Sequence, residues 1–186
     1  MVVLTSLWLP ILLSGIFVFI ASSVIHMVLP YHRNDYGRVP SEDAVMDALR
    51  GFAIPPGDYF LPNAGSPEAM KSPEYKSKLQ KGPLVLMTVL GADGYKMGKR
   101  LAQWLIYTLA VSAVAGFLAA HAAGAGASHR RVFHFIAGVA FSGYGLALAQ
   151  NSIWYSRKWS TTFKSMCDSL IYAAITGATF VWLWPR

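Results

Sequence analysis

A run of twenty-four residues from Val132 to Tyr155 contains no Asp, Glu, Lys or Arg. A helix rises about 1.5 Å per residue, so the run would be roughly 36 Å long, which exceeds the hydrocarbon core of a bilayer at about 30 Å. Two arginines precede the run, and Trp154 lies near its end, where amphipathic aromatics favour the headgroup level. The run therefore predicts a transmembrane helix, and this constrains the fold of the whole chain.

Three further segments complete a predicted set of four spans. Residues 4–29 and 101–123 also lack charged side chains. Residues 170–184 alone are too short to cross, so the last span must extend back across Asp168. The predicted spans lie at about 4–29, 101–123, 132–155 and 165–184. The predicted fold class is an all-α membrane protein with four transmembrane helices in an antiparallel bundle.

The basic residues indicate how these spans are oriented. Of the sixteen Lys and Arg, ten lie in the loop 30–100 and three lie between the third and fourth spans, which leaves three for the opposite side. Because cytoplasmic loops are enriched in Lys and Arg, both termini are expected on the non-cytoplasmic side, in what we take to be a bacterial inner membrane. The net charge of +7 is then explained by topology and by anionic lipid headgroups, so no nucleic acid partner is expected.

The loop 30–100 is long enough to form a structure of its own. Ser41 is a favourable N-cap for a short helix that ends at Gly51, and a second helix is predicted from Pro73 to Lys81. The apolar run Leu84 to Leu90 is either a strand, which would pair with 57–61, or an interfacial segment. We expect a small, partly helical cytoplasmic cap that packs on the inner ends of the bundle.

Sequence motifs for catalysis are missing from this chain. The glycine-rich stretch 91–99 lacks the spacing of a phosphate-binding loop, and neither a nucleophile elbow nor an HExxH helix is present. A lone cysteine, Cys167, excludes an intramolecular disulfide and a cysteine-rich zinc site. An enzyme is therefore not the expected function.

Polar residues near the inner ends of the predicted spans form the first candidate site. His26, Gln150, Asn151, Lys164 and Asp168 should all lie in the inner third of the bundle. Ionisable residues at membrane depth are costly and often functional, so this set predicts an ion or small-solute conduit centred on Asp168. The structural alternative is that Asp168 only pairs with Lys164, four residues earlier on the same helix face.

Histidines near the outer ends of the second and third spans form another candidate site. His121 and His134 should reach similar depth on neighbouring helices, with His129 between them. Two imidazoles on facing helices are a ligand set for haem b, and three are one for Cu or Zn. The alternative is that these side chains are simply solvated at the interface, in which case no cofactor is expected.

Small residues recur every four positions in the predicted spans. Such faces allow membrane helices to approach closely, so they predict tight association within the chain or with a partner. On this basis the leading functional hypothesis is a non-catalytic accessory or packing subunit, either a homo-oligomer or part of a membrane complex. The predicted packing residues are Ser112, Gly116, Ala120 and Gly124 in the second span, Gly138 and Ser142 in the third, and Ala173 and Gly177 in the fourth.

Overall fold

The computed structural model describes residues 2–91 and 94–185. The chain divides into two compact units. The first, here called the helical unit, comprises Met1–Gly37 and Met97–Arg186, and the second, the loop unit, comprises Arg38–Lys96. Residues 30–37, which the sequence assigns to the first loop, therefore belong to the helical unit.

The described chain is mostly helical and contains one small sheet. In the helical unit, α1 follows a 3-10 turn at Leu4–Leu7 and leads into a π-helical turn at Val24–Val28 and a short 3-10 turn at Pro30–His32. The elements are α1 Trp8–Ser23, α2 Glu42–Gly51, β1 Gly57–Leu61, α3 Pro73–Lys81, β2 Val85–Val89, α4 Met97–Ala122, α5 His129–Tyr144, α6 Ala149–Trp154 and α7 Trp159–Trp182.

Three helical segments among the described residues are long and apolar enough to cross a membrane. They are Leu4–Val28, Met97–Ala122 and His129–Trp154. Each coincides with a span predicted from the sequence, so three of the predicted spans are confirmed as helices long and apolar enough to cross a membrane. The predicted fourth span falls in α7, which has 24 residues and carries two charged side chains, Lys164 and Asp168.

The long helices of the helical unit pack around a shared core. α1 lies between α4 and α7, and α5 packs on both α7 and α4. At the end that contains the start of α1 and the end of α7, the side chains of Leu7, Val132, Ile136 and Phe180 are completely buried. This end of the unit therefore holds a continuous apolar cluster contributed by several helices.

Several small residues lie where these helices approach most closely. A Cβ on Gly116 would lie 3.0 Å from the ring of Phe180, and one on Gly177 would lie 3.0 Å from the ring of Phe133. Ser112 is buried and accepts a 3.0 Å hydrogen bond from Ser14 of α1. These small side chains therefore serve packing inside the chain, since only a small residue admits the neighbouring helix or ring.

The third span is interrupted, whereas the sequence predicts a continuous helix over 132–155. α5 ends at Tyr144, and a short 3-10 turn at Leu146–Leu148 precedes α6. A Cβ on Gly145 would lie 2.6 Å from Cβ of Ser169, whose hydroxyl donates to the Tyr144 carbonyl at 3.0 Å. The close approach of α7 therefore coincides with the break, and the Ser169 hydroxyl lies within hydrogen-bond distance of both the Tyr144 carbonyl and the Ser165 carbonyl of its own helix.

The loop unit contains the hairpin that the sequence suggested as one of two alternatives. β1 pairs antiparallel with β2, with Tyr59 opposite Met87. Thr88 Oγ1 donates to the carboxylate of Asp58, its cross-strand neighbour, at 2.6 Å. The strand interpretation of the apolar run is therefore confirmed over Val85–Val89.

Both helices predicted in the loop unit are present, but only one has the predicted cap. α3 spans Pro73–Lys81 as predicted, and Ser72 Oγ caps it by accepting from Tyr75 N. Ser41 precedes α2 without capping it, because its φ of 52° is left-handed and its side chain makes no cap hydrogen bond. An N-cap side chain normally requires an extended backbone. Of the glycine-rich stretch before α4, residues 92 and 93 lie outside the described residues.

Candidate functional site

Five ionisable side chains meet where α1 ends and α7 begins, and we call them the polar centre. His26 lies in the π-helical turn after α1, His32 closes the next 3-10 turn, and Asp35 follows three residues later. α7 contributes Lys164 and Asp168, which are four residues apart and so share one face of the helix. Two local segments at opposite ends of the sequence thus build a single site within the helical unit.

His32 joins the two carboxylates of the polar centre. Its Nδ1 lies 2.6 Å from Asp35 Oδ2, and its Nε2 lies 2.8 Å from Asp168 Oδ2. A neutral imidazole donates one hydrogen, whereas the imidazolium donates two. Both ring nitrogens of His32 are therefore engaged, and this side chain bridges the two acidic residues.

Lys164 pairs with Asp35 rather than with Asp168, its predicted partner. Its ammonium donates to Asp35 Oδ1 at 2.9 Å and to the Tyr31 carbonyl at 2.9 Å. Asp168 is instead bonded to His32, so the two charged residues of α7 have different partners. The segment after α1 folds onto α7 and places Asp35 beside Lys164 and His32 beside Asp168.

The two carboxylates are buried, and the environment of Asp35 favours its ionised form. Only 3% of the surface of Asp168 is exposed, and the Asp35 side chain is 8% exposed. Burial by itself raises the pKa of Asp35, but hydrogen bonds and positive charge from His32 and Lys164 outweigh burial and lower that pKa below its usual value. Asp35 is therefore a carboxylate at neutral pH, as its ion pairs require.

His26 adds a second imidazole beside His32. The two rings stack with their centroids 4.4 Å apart and an angle of 5° between their planes. His26 Nδ1 lies 3.0 Å from the carbonyl of Ser22, one helical turn earlier. If Nδ1 donates this hydrogen bond, Nε2 of His26 carries the free lone pair.

The polar centre contains a potential set of metal ligands. One ligand atom from each of His26, His32 and Asp168 lies within 4.8 Å of the other two. Two imidazoles and one carboxylate are ligands used for first-row divalent metals such as Zn²⁺ and Fe²⁺. Among residues 2–91 and 94–185, this is the one group of three or more such side chains with that proximity.

The remaining residues of the predicted inner site lie outside this network. In the described part of the chain, no side-chain hydrogen bond or ion pair links Gln150 or Asn151 to the polar centre. The backbone carbonyl of Asn151 accepts from the amides of Tyr155 and Arg157 at the end of α6. The structure thus brings together His26, Lys164 and Asp168 from the predicted set, but does not add these two amides to them.

The outer histidines make local contacts. His121 Nδ1 lies 2.8 Å from the Phe117 carbonyl, and His134 Nδ1 lies 2.7 Å from the Arg130 carbonyl, each one turn back along its own helix. Both side chains are exposed, as is His129. These three histidines do not form a ligand group of the kind found in the polar centre, within the residues described.

Sequence reasoning missed His32 and Asp35 because it placed them in the long loop. A detectable signal was the density of ionisable residues directly after the first span, in Tyr31-His32-Arg33-Asn34-Asp35. Residues this close to a span end remain near the ends of the other helices. They can therefore pair with a charge such as Asp168 that the sequence places near the membrane edge.

A different surface of interest lies in the loop unit. None of the described residues between Arg38 and Lys96 is buried, although the unit contains two helices and a hairpin. α2 has an apolar stripe that includes Val45, Leu49 and Phe52, and Phe52 is 75% exposed. No other described element packs closely on α2. This apolar stripe, here called the α2 face, is therefore exposed and is not packed against another described element of the loop unit.

Comparison with known proteins gives no family for this chain. It matches no protein-family model, and no curated protein or solved structure is significantly similar to it.

Proposed function

We propose that this chain is a non-catalytic packing subunit of a bacterial inner membrane, anchored by four spans and self-associating through its loop unit. The observation that carries the association is the exposed α2 face. The anchoring rests on the confirmed apolar helices together with α7 as a fourth span.

Two contacts at the end of α7 support its crossing of the membrane. Trp184 Nε1 donates to the carbonyl of Gly124 at 3.1 Å, and the amide of Gly126 donates to the Pro185 carbonyl at 3.3 Å. The end of α7 thus lies beside the turn between α4 and α5. At about 1.5 Å per residue, its 24 residues give a length of about 36 Å, which suffices for a crossing.

The proposed orientation places the loop unit in the cytoplasm and both termini on the other side. It rests on the thirteen Lys and Arg that lie on the loop-unit side of the spans against three on the opposite side. The polar centre is then near the cytoplasmic face, since it is built from the end of α1 and the start of α7.

The charges of the loop unit favour a second copy of this chain as the occupant of the α2 face. α2 carries three acidic residues and one arginine, whereas the segment 69–81 carries four lysines and one glutamate. In a two-fold dimer each copy presents the same surfaces, so the acidic helix of one chain can meet the basic segment of the other twice. An acidic amphipathic helix is poorly suited to an anionic lipid surface, since membrane-surface helices are usually rich in Lys and Arg.

The interior of the helical unit supports a packing role over a conduit. A through-path from Asp168 would have to cross the apolar cluster that contains Leu7, Ile136 and Phe180, all completely buried. Moving an ion through such a region is costly because nothing there replaces its hydration.

The mass of the purified protein in mild detergent tests the association. We expect a dimer, and we expect the double variant Leu49→Glu/Phe52→Glu to be monomeric at the same concentration. Burying one large apolar side chain contributes about 1.5–3 kcal/mol, so placing two charges on the α2 face should weaken association by more than about tenfold. Light scattering with correction for bound detergent gives the mass directly.

Met46→Glu is the matched control. Met46 lies on the same helix and is 50% exposed, but it lies off the apolar stripe. This variant should remain dimeric. A monomeric wild-type protein, or a dimer that persists in the double variant, would refute association through the α2 face.

A further inference from the structure

We propose that the polar centre binds one divalent first-row metal ion, of the Zn²⁺ class, through His26, His32 and Asp168. This site is independent of the association through the loop unit and lies at the opposite end of the spans from the outer histidines. Its ligands come from the turns after α1 and from α7.

The hydrogen bonds around the two histidines are those that orient metal ligands. In most metal sites, a ligating histidine donates its other ring hydrogen to a carboxylate or a backbone carbonyl, which fixes the ring and the tautomer. His32 meets Asp35 at 2.6 Å through Nδ1, and His26 meets the Ser22 carbonyl at 3.0 Å through Nδ1. The Nε2 atom of each histidine is therefore the one that would bind the metal.

Asp35 is itself held in place by a further contact. Its second oxygen accepts from Lys164 Nζ at 2.9 Å, so the carboxylate that orients His32 is fixed by an ion pair. The third ligand, Asp168, is a buried carboxylate on the adjacent helix. The site therefore combines three ligands with neighbouring groups that hold its two histidines in place.

His26 must turn out of its stack with His32 before the three ligands can close onto an ion, because the lone pairs of two parallel rings do not point at one position. Tetrahedral coordination with bonds of about 2.0–2.1 Å places ligand atoms roughly 3.3 Å apart. One ligand atom of each residue already lies within 4.8 Å of the other two, and the side chain of His26 is exposed and can turn. The ion takes the position of the hydrogen shared by His32 Nε2 and Asp168, and that proton leaves to solvent.

The ligand types determine which ions fit. Imidazole nitrogens favour Zn²⁺, Co²⁺ and Fe²⁺, whereas Mg²⁺ and Ca²⁺ prefer sets made only of oxygen ligands. Three protein ligands leave at least one coordination position for water, as in sites where the metal contacts a further molecule. The exposed edge of His26 gives the ion a route from the cytoplasmic side of the proposed topology.

Titration of the full-length, chelator-stripped protein with Co²⁺ tests the site. We expect one ion per chain, visible as d–d absorption of a nitrogen–oxygen site, and displacement of Co²⁺ by an equimolar amount of Zn²⁺. His26→Ala should reduce the affinity by about a hundredfold or more, since loss of a ligand exceeds the 10–100-fold effect of losing a supporting residue. His26 is suited to this test because it is exposed, so its removal leaves the core intact.

The double variant His121→Ala/His134→Ala is the matched control. Those histidines are also exposed and also bonded to a carbonyl one turn back. The double variant should leave the Co²⁺ spectrum and the stoichiometry of binding unchanged. Absence of stoichiometric binding by the wild-type protein, binding that His26→Ala does not weaken, or binding lost in the control variant would each overturn the proposal.

Discussion

Replacing Asp168 with Asn is expected to lower the free energy of unfolding by about 3–5 kcal/mol, the cost of removing one partner of a buried ion pair. Asp168 is 3% exposed and lies 2.8 Å from His32 Nε2, so the substitution leaves His32 with one carboxylate partner instead of two. Reversible unfolding in mixed micelles, followed by tryptophan fluorescence, measures the change in the metal-free protein.

A double variant separates the effect of leaving His32 without Asp168 from a simple loss of packing. If the unpaired His32 causes the instability, His32→Leu combined with Asp168→Leu should cost less than the sum of the two single changes.

Glu74→Gln is the control, because Glu74 pairs with Lys78 on the exposed surface of α3. We expect Glu74→Gln to leave the free energy of unfolding unchanged within error. An equal loss of stability in Glu74→Gln and Asp168→Asn would refute the account of Asp168.

Truncating Phe180 to Ala is expected to cost about 2–4 kcal/mol. Phe180 is completely buried, and its ring fills the space beside Gly116. Phe→Ala in the core of a soluble protein costs about 3–5 kcal/mol, and a somewhat smaller loss is expected here because lipid is as apolar as the protein interior. The same unfolding measurement gives the value.

Phe163→Ala provides the comparison for Phe180. Phe163 is on the same helix, but 57% of its surface is exposed. We expect a change below about 1 kcal/mol, as is usual for surface positions. Similar losses at both positions would mean that the apolar cluster does not stabilise the helical unit.

The features that the sequence predicted well are those that depend on local pattern. Uncharged runs longer than the hydrocarbon core predicted three helices that are long and apolar enough to cross a membrane, and Ser72 with Pro73 marked the start of α3. The hairpin followed from the apolar run before Gly91, once a partner segment was sought. These signals lie within a few residues of the structure they specify.

The features that the sequence predicted poorly depend on which segments meet in space. The sequence predicts Lys164 as the ion-pair partner of Asp168, because both lie on one helix face. The structure pairs Asp168 with a residue 136 positions away, and Lys164 with one 129 positions away. No local rule gives those separations, so the polar centre could be predicted only in part.

The break at Gly145 has the same origin. The uncharged run from Val132 to Tyr155 specifies a membrane helix, but not its regularity. The close approach to Ser169 on α7 depends on how α5 and α7 pack together. Small residues likewise predicted close packing without saying whether the neighbour is in the same chain.

The sidedness of α7 is the most direct test of the four-span architecture. In a Cys167→Ala background, single cysteines at Ser66 and Pro185 would be labelled with a membrane-impermeant maleimide in right-side-out and inside-out vesicles. We expect the cysteine at Ser66 to react only in inside-out vesicles and the cysteine at Pro185 only in right-side-out vesicles. Labelling of both positions from the same side would show that α7 does not cross the membrane and would contradict the four-span anchor.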